Sequence, residues 1–196
     1  MNVFCKIILF ICVLPNISYA QDGEIHFGYV DKDSLKQGLW GNYDSISGIN
    51  TIETYINDTL NGFTTMTSGK FLNEINYKKG LKNGWVREYF KGVLSEAILY
   101  NSGFIVYVRL YDFKGRIQEE YGVKNGKKEG VRLIYKKGKI KYKEFLKNDI
   151  NEGKVIFYYK KYGTPHYVYD YKNGKKTGSW IELDKDGYII NSNQHK

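Results

Sequence analysis

Cysteine is almost missing from this chain of 196 residues: Cys5 and Cys12 are the only two, both within the first twenty positions. Past residue 20 there is no thiol, which excludes disulfides, cysteine nucleophiles and thiolate metal sites there. Proline is equally scarce, with Pro15 and Pro165 alone. The unbroken apolar run Ile7 to Leu14 has eight residues, far short of the roughly 20 that a membrane-spanning helix needs. No stretch after Ala20 holds a helical period beyond one turn. Histidine is limited to His26, His166 and His195, with no metal-ligand spacing among them. His166 and Asp170 are four apart, which on a strand means one face but a gap of about 13 Å. His166 therefore reads as a surface strand residue. No catalytic, cofactor-binding or metal-binding set is expected.

The first twenty residues differ in kind from the rest. Lys6 precedes the apolar run, and Ser18-Tyr19-Ala20 puts small residues at −3 and −1. That order predicts a secretory signal peptide over residues 1–20, cleaved between Ala20 and Gln21. Neither cysteine is placed for lipid attachment: Cys5 comes too early, and Cys12 follows Ile11. The protein is thus expected to be exported, whether periplasmic, surface-bound or secreted. No transmembrane segment is expected in the mature chain, and nucleic acid is not an expected partner.

Aromatic residues make up 16% of the chain, with 19 Tyr, and Gly reaches 21. Tyr and Phe suit a pleated, half-buried surface, and Gly supplies turns that need positive φ. The glycines also set a period. Gly38, Gly62, Gly84, Gly130, Gly153 and Gly178, with Val106 in the one gap, recur at roughly 23 residues. A second glycine follows inside each unit: Gly48, Gly69, Gly92, Gly115, Gly138, Gly163 and Gly187. A third turn signal closes four units, at Gly80, Gly103, Gly126 and Gly174. Two turn signals per period with β-rich runs between them describe one hairpin per repeat.

Columns of side chains keep the same register. Tyr43, Tyr89, Tyr111, Tyr135 and Tyr158 stand five residues after the opening position, and Tyr55, Tyr77, Tyr100, Tyr121, Phe145 and Tyr171 stand near the end of the second strand. Phe71, Leu94, Ile117, Ile140 and Ile189 fall two residues past the inner glycines, with Pro165 taking that place once. Stacked hairpins turn such columns into ladders of packed side chains, so the tyrosines and Trp40, Trp85 and Trp180 read as core and not as a ligand-stacking platform. Pro165 cannot donate to a ladder and predicts a bulge or a distorted strand. The carboxylate column Glu53, Glu74, Glu96, Glu119, Glu144 and Asp170 reads as a cross-strand charge ladder with Lys and Arg neighbours.

Lys127-Lys128-Glu129-Gly130-Val131-Arg132-Leu133-Ile134-Tyr135-Lys136-Lys137-Gly138-Lys139-Ile140 resembles the MORN-repeat-variant family, whose unit reads Gly-Lys-Lys-x-Gly-x-Trp, an aromatic, then Asn-Gly-Lys-Leu. Lys172-Asn173-Gly174-Lys175-Lys176-Thr177-Gly178-Ser179-Trp180, Lys82-Asn83-Gly84-Trp85 and Gly38-Leu39-Trp40 repeat the pattern. The resemblance covers about residues 36 to 190 and departs at Thr64, Thr65 and Thr67 and at Val106. It implies an elongated antiparallel β-meander, and an antitoxin or immunity role that neutralises a toxin is its runner-up implication for function. The fold expected is therefore all-β, a meander of about seven stacked hairpin repeats. Residues 21–37 would form an N-terminal capping strand, residues 38–190 the repeats, and residues 191–196 a frayed polar tail.

Charge is the one uneven feature. Residues 21–121 carry 11 basic against 13 acidic side chains, whereas residues 122–196 carry 18 against 8. Lys127, Lys128, Lys136, Lys137, Lys139, Lys141 and Lys143 are the densest basic group and the candidate surface for an anionic partner. Strand alternation predicts that Lys139, Lys141 and Lys143 line one side. The function expected is non-enzymatic: contact with a protein, or with an anionic polymer or glycan, of the cell envelope.

Overall fold

A computed structural model describes residues 18–19, 25–26 and 28–193. The expected leader (apart from Ser18–Tyr19), the Ala20–Gln21 cleavage position and His195 lie outside the described residues. Every described element is a strand, and paired strands run antiparallel in a meander. The chain divides into two compact units, Met1–Leu94 with Leu99–Phe104, and Ser95–Ile98 with Ile105–Lys196.

The first unit contains β1 (Ser18–Tyr19), β2 (Ile25–His26), β3 (Tyr29–Val30), β4 (Lys36–Asp44), β5 (Ile49–Ile56), β6 (Thr59–Leu60), β7 (Gly62–Ser68), β8 (Phe71–Lys78), β9 (Leu81–Lys82) and β10 (Gly84–Phe90). β4 pairs with β5 from Gly38↔Tyr55 to Asp44↔Ile49, β5 with β7, β7 with β8, and β8 with β10. β2 joins through His26↔Trp40. β11 (Val93–Asn101) contributes residues to both units. The second unit continues through β12 (Phe104–Tyr111), whose first residue belongs to the first unit, β13 (Ile117–Lys124), β14 (Lys127–Lys136), β15 (Lys139–Lys147), β16 (Ile150–Asn151), β17 (Gly153–Tyr158), β18 (Pro165–Lys172), β19 (Lys175–Leu183) and β20 (Ile189–Asn193). Asn191–Asn193, read from sequence as tail, are the last residues of β20 and pair with β19.

Twenty strands exceed what seven hairpins would use, and the opening glycines explain part of the surplus. Between the pairs Leu146↔Asn151 and Lys143↔Ile156 the second strand has two residues too many. They are absorbed at Glu152-Gly153, where Gly153 takes φ 99°, a region that a Cβ disfavours. The same offset recurs at Asn61-Gly62 and Asn83-Gly84. Each break leaves a two-residue strand on its far side: β6, β9 and β16.

The residue before the opening glycine has its own task. Asn57 N donates to Gln37 Oε1 (3.1 Å), Lys79 N to Asn61 Oδ1 (3.1 Å), Asn148 N to Glu129 Oε2 (2.9 Å) and Asn173 N to Glu152 Oε2 (2.8 Å). Each donor opens the two-residue turn one repeat further on, with positive φ at both central positions, as in Asn173-Gly174 at 51° and 76°. That conformation matches strand twist and leaves the first turn amide pointing outward, so the previous repeat caps it. Successive outer turns are thereby locked to one another.

Inner turns in the second unit differ. The registers Leu110↔Glu119 to Tyr111↔Ile117, Ile134↔Tyr142 to Tyr135↔Ile140, Phe157↔Tyr167 to Tyr158↔Pro165 and Glu182↔Asn191 to Leu183↔Ile189 each skip one residue. The skipped residues, Gln118, Lys141, His166 and Ile190, all stand three positions past the inner glycine. The bulge expected at Pro165 is present, but it is a property of the repeat and not of proline. The same registers show the tyrosine column meeting the apolar column directly, as in Tyr135↔Ile140.

Among the described residues buried apolar side chains are few, and none of them is wholly shut off from solvent: Ile75 in the first unit, and Ala97, Val108, Leu146 and Val155 in the second. Tyr89, Tyr111, Tyr135 and Tyr158 are half-buried, and Tyr43 is exposed. Every described element is a strand and no large side chain among the described residues is hidden completely, so the columns pack side by side along the sheet.

Candidate functional site

The carboxylate column is spent inside the second unit's sheet. Glu119 Oε1 accepts from Lys128 Nζ (2.9 Å) and Arg132 Nε (2.8 Å), and Arg132 Nη1 reaches Glu144 Oε2 (2.9 Å). Lys154 Nζ sits 3.0 Å from Asp170. Burial pushes the Glu119 carboxyl up, but hydrogen bonds from Arg132 and Lys128 outweigh it and hold the group below its ordinary range. On the opposite face, Glu120 is 7% exposed. Arg109 Nε (2.8 Å) and the Tyr135 hydroxyl (2.5 Å) both donate to it. Glu119, Glu144 and Asp170 thus form the cross-strand ion pairs that the sequence pattern implied, whereas Glu120 stands outside that column.

The seven candidate lysines do not form one patch. Lys127 and Lys128 begin β14, and Lys136 ends it, a strand of ten residues, or about 30 Å. Lys128 is committed to Glu119 and lies 4.1 Å above the Tyr121 ring. Lys139, Lys141 and Lys143 do not share a side. Lys139 pairs with Lys136 but Lys143 pairs with Leu133, and alternating residues of β14 face opposite ways. The bulge at Lys141 resets the alternation, so Lys139 and Lys143 fall on opposite faces. Lys143 is half-buried with its ammonium 4.8 Å from the Phe145 ring.

What the structure does bring together is Lys136, Lys137, Lys139 and Lys141, all exposed around the inner turn at Lys137-Gly138. This turn is one of four along the same edge, the others spanning 112–115, 159–163 and 184–187. Neighbouring turns touch. Arg116 Cδ lies 4.0 Å from where a Cβ on Gly138 would stand, and Thr164 Oγ1 donates to Lys185 O (3.1 Å). Two of the turns are built on aspartates. Asp112 Oδ1 accepts from Lys114 N and Arg116 N, and Asp184 Oδ1 from Asp186 N and Tyr188 N. Arg116 also closes on Asp112 Oδ2 at 2.6 Å, and together with the loop amides it holds that carboxyl below its usual range. Lys185 and Asp186 pair at 2.5 Å. The acids of this edge are therefore engaged locally, while Lys136, Lys137 and Lys139 face each other with no ion pair to a carboxylate among the described residues.

Sequence reasoning missed the aromatic tips of the same edge. Phe113 is 83% exposed, Tyr162 50% and Tyr188 73%. Lys114 and Lys161 lie over the first two rings at 5.7 and 5.1 Å. All three rings stand outside the repeat columns, which was the available signal. His166, at its bulge, stacks on Tyr159 (4.0 Å) and stands 3.5 Å from Glu182 Oε1. Asp170, four residues further on, pairs with Lys154 instead. A shallow concavity of about 500 Å³ on the ion-pair face is lined by Arg132, Glu144, Asp149 and Asn151 among others, and Asn151 Oδ1 has no hydrogen-bond partner there. Among the described residues no cluster of three or more His, Cys, Asp or Glu could hold a metal, and no helix is long and apolar enough to cross a membrane.

No family model matches the chain, and no curated protein sequence matches it. Solved structures show similarity, two of TarM among them. One is TarM of S. aureus, as a point mutant in complex with fondaparinux, α-GlcNAc-glycerol and UDP, at TM-score 0.39 and 15% identity over 57% of this chain and 22% of that one. The other is a second TarM crystal structure, at TM-score 0.36 and 14% identity over 76% of this chain and 24% of that one. The chain spans about a quarter of the length of these proteins.

Proposed function

We propose that the chain is a non-enzymatic, exported β-repeat protein of MORN-variant type that binds an anionic partner of the cell envelope, a polymer, glycan or acidic protein surface, through the inner-turn edge of its second unit. One observation carries this reading. Lys136 and Lys139 oppose each other directly across a turn that adds Lys137 between them, a third lysine that the opposed outer-turn pairs Lys124↔Lys127 and Lys172↔Lys175 lack. Like charges directly opposed in a sheet cost stability, and among the described residues no acidic side chain pairs with these lysines to offset the cost. A partner bringing negative charge converts that repulsion into binding free energy. The test is retention of the protein on a heparin matrix. Strong retention at low ionic strength that collapses as salt rises past physiological strength supports the reading, because exposed charges are screened beyond about 8 Å. Passage through the matrix without delay at low ionic strength overturns it.

A further inference from the structure

We infer that the inner-turn edge of the second unit takes a linear acidic polysaccharide, with Phe113, Tyr162 and Tyr188 stacking on sugar rings and Lys136, Lys137 and Lys139 meeting its anionic groups. This rests on the basic-edge reading above and names the polymer. The four turns belong to successive hairpins, so their tips stand about 10 Å apart along the edge, and the whole row is about 29 Å long. Along it the chemistry runs aromatic at Phe113, basic at the Lys137 turn, aromatic at Tyr162, and aromatic again at Tyr188. Ring faces carry negative charge in their quadrupole and accept the C–H face of a pyranose, and the ammonium groups between them accept carboxylate or sulfate.

The three rings decide among the partners that charge alone allows. A bare polyanion has no use for large apolar rings held in water at the tips of loops. A protein interface needs a contiguous apolar centre with charge at its rim, and here the lysine turn stands between Phe113 and Tyr162, about 19 Å apart, with Tyr188 about 10 Å further on. A polymer that alternates ring faces with charges suits both features. At the other end of these hairpins the exposed large apolar side chains are Phe104, Ile105, Val131 and Ile150, with a single ring among them, and the outer turns are capped by Glu129 and Glu152, so among the described residues from 104 onward three of the four exposed rings lie on the inner edge.

The test compares three probes at equal ionic strength by fluorescence anisotropy: a heparin dodecasaccharide, inorganic polyphosphate and oligothymidylate. Wild type is measured against Phe113→Ser with Tyr162→Ser, against Tyr188→Ser, and against Lys136→Glu with Lys139→Glu. The rings are exposed, and thermal unfolding checks that each variant retains its fold; Tyr188→Ser stands in should Tyr162→Ser disturb the ring contact with Tyr159 at 6.1 Å. The inference expects each ring replacement to weaken the heparin oligosaccharide by roughly threefold to tenfold and to leave polyphosphate unchanged. Ring variants that bind heparin as wild type does overturn it, while loss in the lysine variant alone keeps the basic-edge reading. Ring-dependent binding of oligothymidylate without ring-dependent binding of heparin overturns it in favour of nucleic acid. No binding of any probe by wild type removes the basic-edge reading as well.

Discussion

The Tyr135 hydroxyl donates to Glu120 Oε1 at 2.5 Å across two strands, β14 and β13, while Arg109 on β12 closes on the other oxygen at 2.8 Å. One carboxylate thus ties three consecutive strands of the second unit on a single face. Tyr135→Phe removes a hydrogen bond to a charged acceptor and should cost about 1.5–3 kcal/mol. Glu120→Ala should cost as much or more, because it removes the one carboxylate to which Tyr135, Arg109 and Tyr107 all donate. Urea unfolding of the two variants and of the double variant checks this, and the double-variant cycle should be strongly non-additive.

Acid should weaken the fold through the same carboxylates. Burial raises Glu120, but donors on Tyr135, Arg109 and Tyr107 more than offset it and hold the group below its ordinary value; Glu119 behaves likewise. A depressed folded-state pKa means stability that is complete above the unfolded value, near 4.3, and is lost as pH falls through the folded value. Unfolding free energy should therefore be level down to about pH 5 and fall below it. In Glu120→Gln the fall should be shallower, which chemical denaturation at several pH values will show.

Alkali acts on tyrosine. Burial and the hydrogen bond to Glu53 push Tyr55 up to about 12, and burial together with Glu120 pushes Tyr135 up further. A raised folded-state pKa contributes stability that is present below the unfolded value near 10 and lost as pH climbs through the folded one. Ultraviolet titration of phenolate should show a subset of tyrosines ionising late, together with loss of sheet signal in circular dichroism. Uniform ionisation near pH 10 would contradict the half-buried columns.

The turn-to-turn caps are separable from the strands. Glu129→Ala removes the acceptor for Asn148 N, and Glu152→Ala that for Asn173 N. Each should cost about 1 kcal/mol, as removal of a comparable cap at a helix end does. Amide hydrogen exchange should quicken at Asn148 in the first variant and at Asn173 in the second, with the strands between them protected as before.

The hairpins, their inner and outer turns and the all-β class were legible because positive φ at a turn admits few residues, so Gly48, Gly69 or Gly126 announce their positions. The carboxylate column was legible because cross-strand pairing must repeat when the strands do. The inner bulge was not. Gln118, Lys141, His166 and Ile190 share no chemistry, only a distance from a glycine, and a one-residue slip turns every side chain beyond it to the other face. That is why strand alternation alone predicts one side for Lys139 and Lys143, whereas the bulge puts them on opposite faces. The lysines of the candidate edge were visible in the sequence; Phe113, Tyr162 and Tyr188 were obscured by the many aromatics that follow the repeat.

The central claim is that a place, the inner-turn edge of the second unit, and not net charge, binds the anionic partner. Two variants with equal charge change decide it: Lys136→Glu, Lys137→Glu and Lys139→Glu on the inner edge, against Lys124→Glu, Lys127→Glu and Lys172→Glu on the outer one. All six side chains are exposed, and substitutions of such residues stay within about half a kcal/mol in stability. The measurement is the salt concentration at which each protein leaves a heparin matrix. The inner-edge variant should elute with the unretained fraction while the outer-edge variant stays close to wild type. Equal displacement of the two variants would contradict the account.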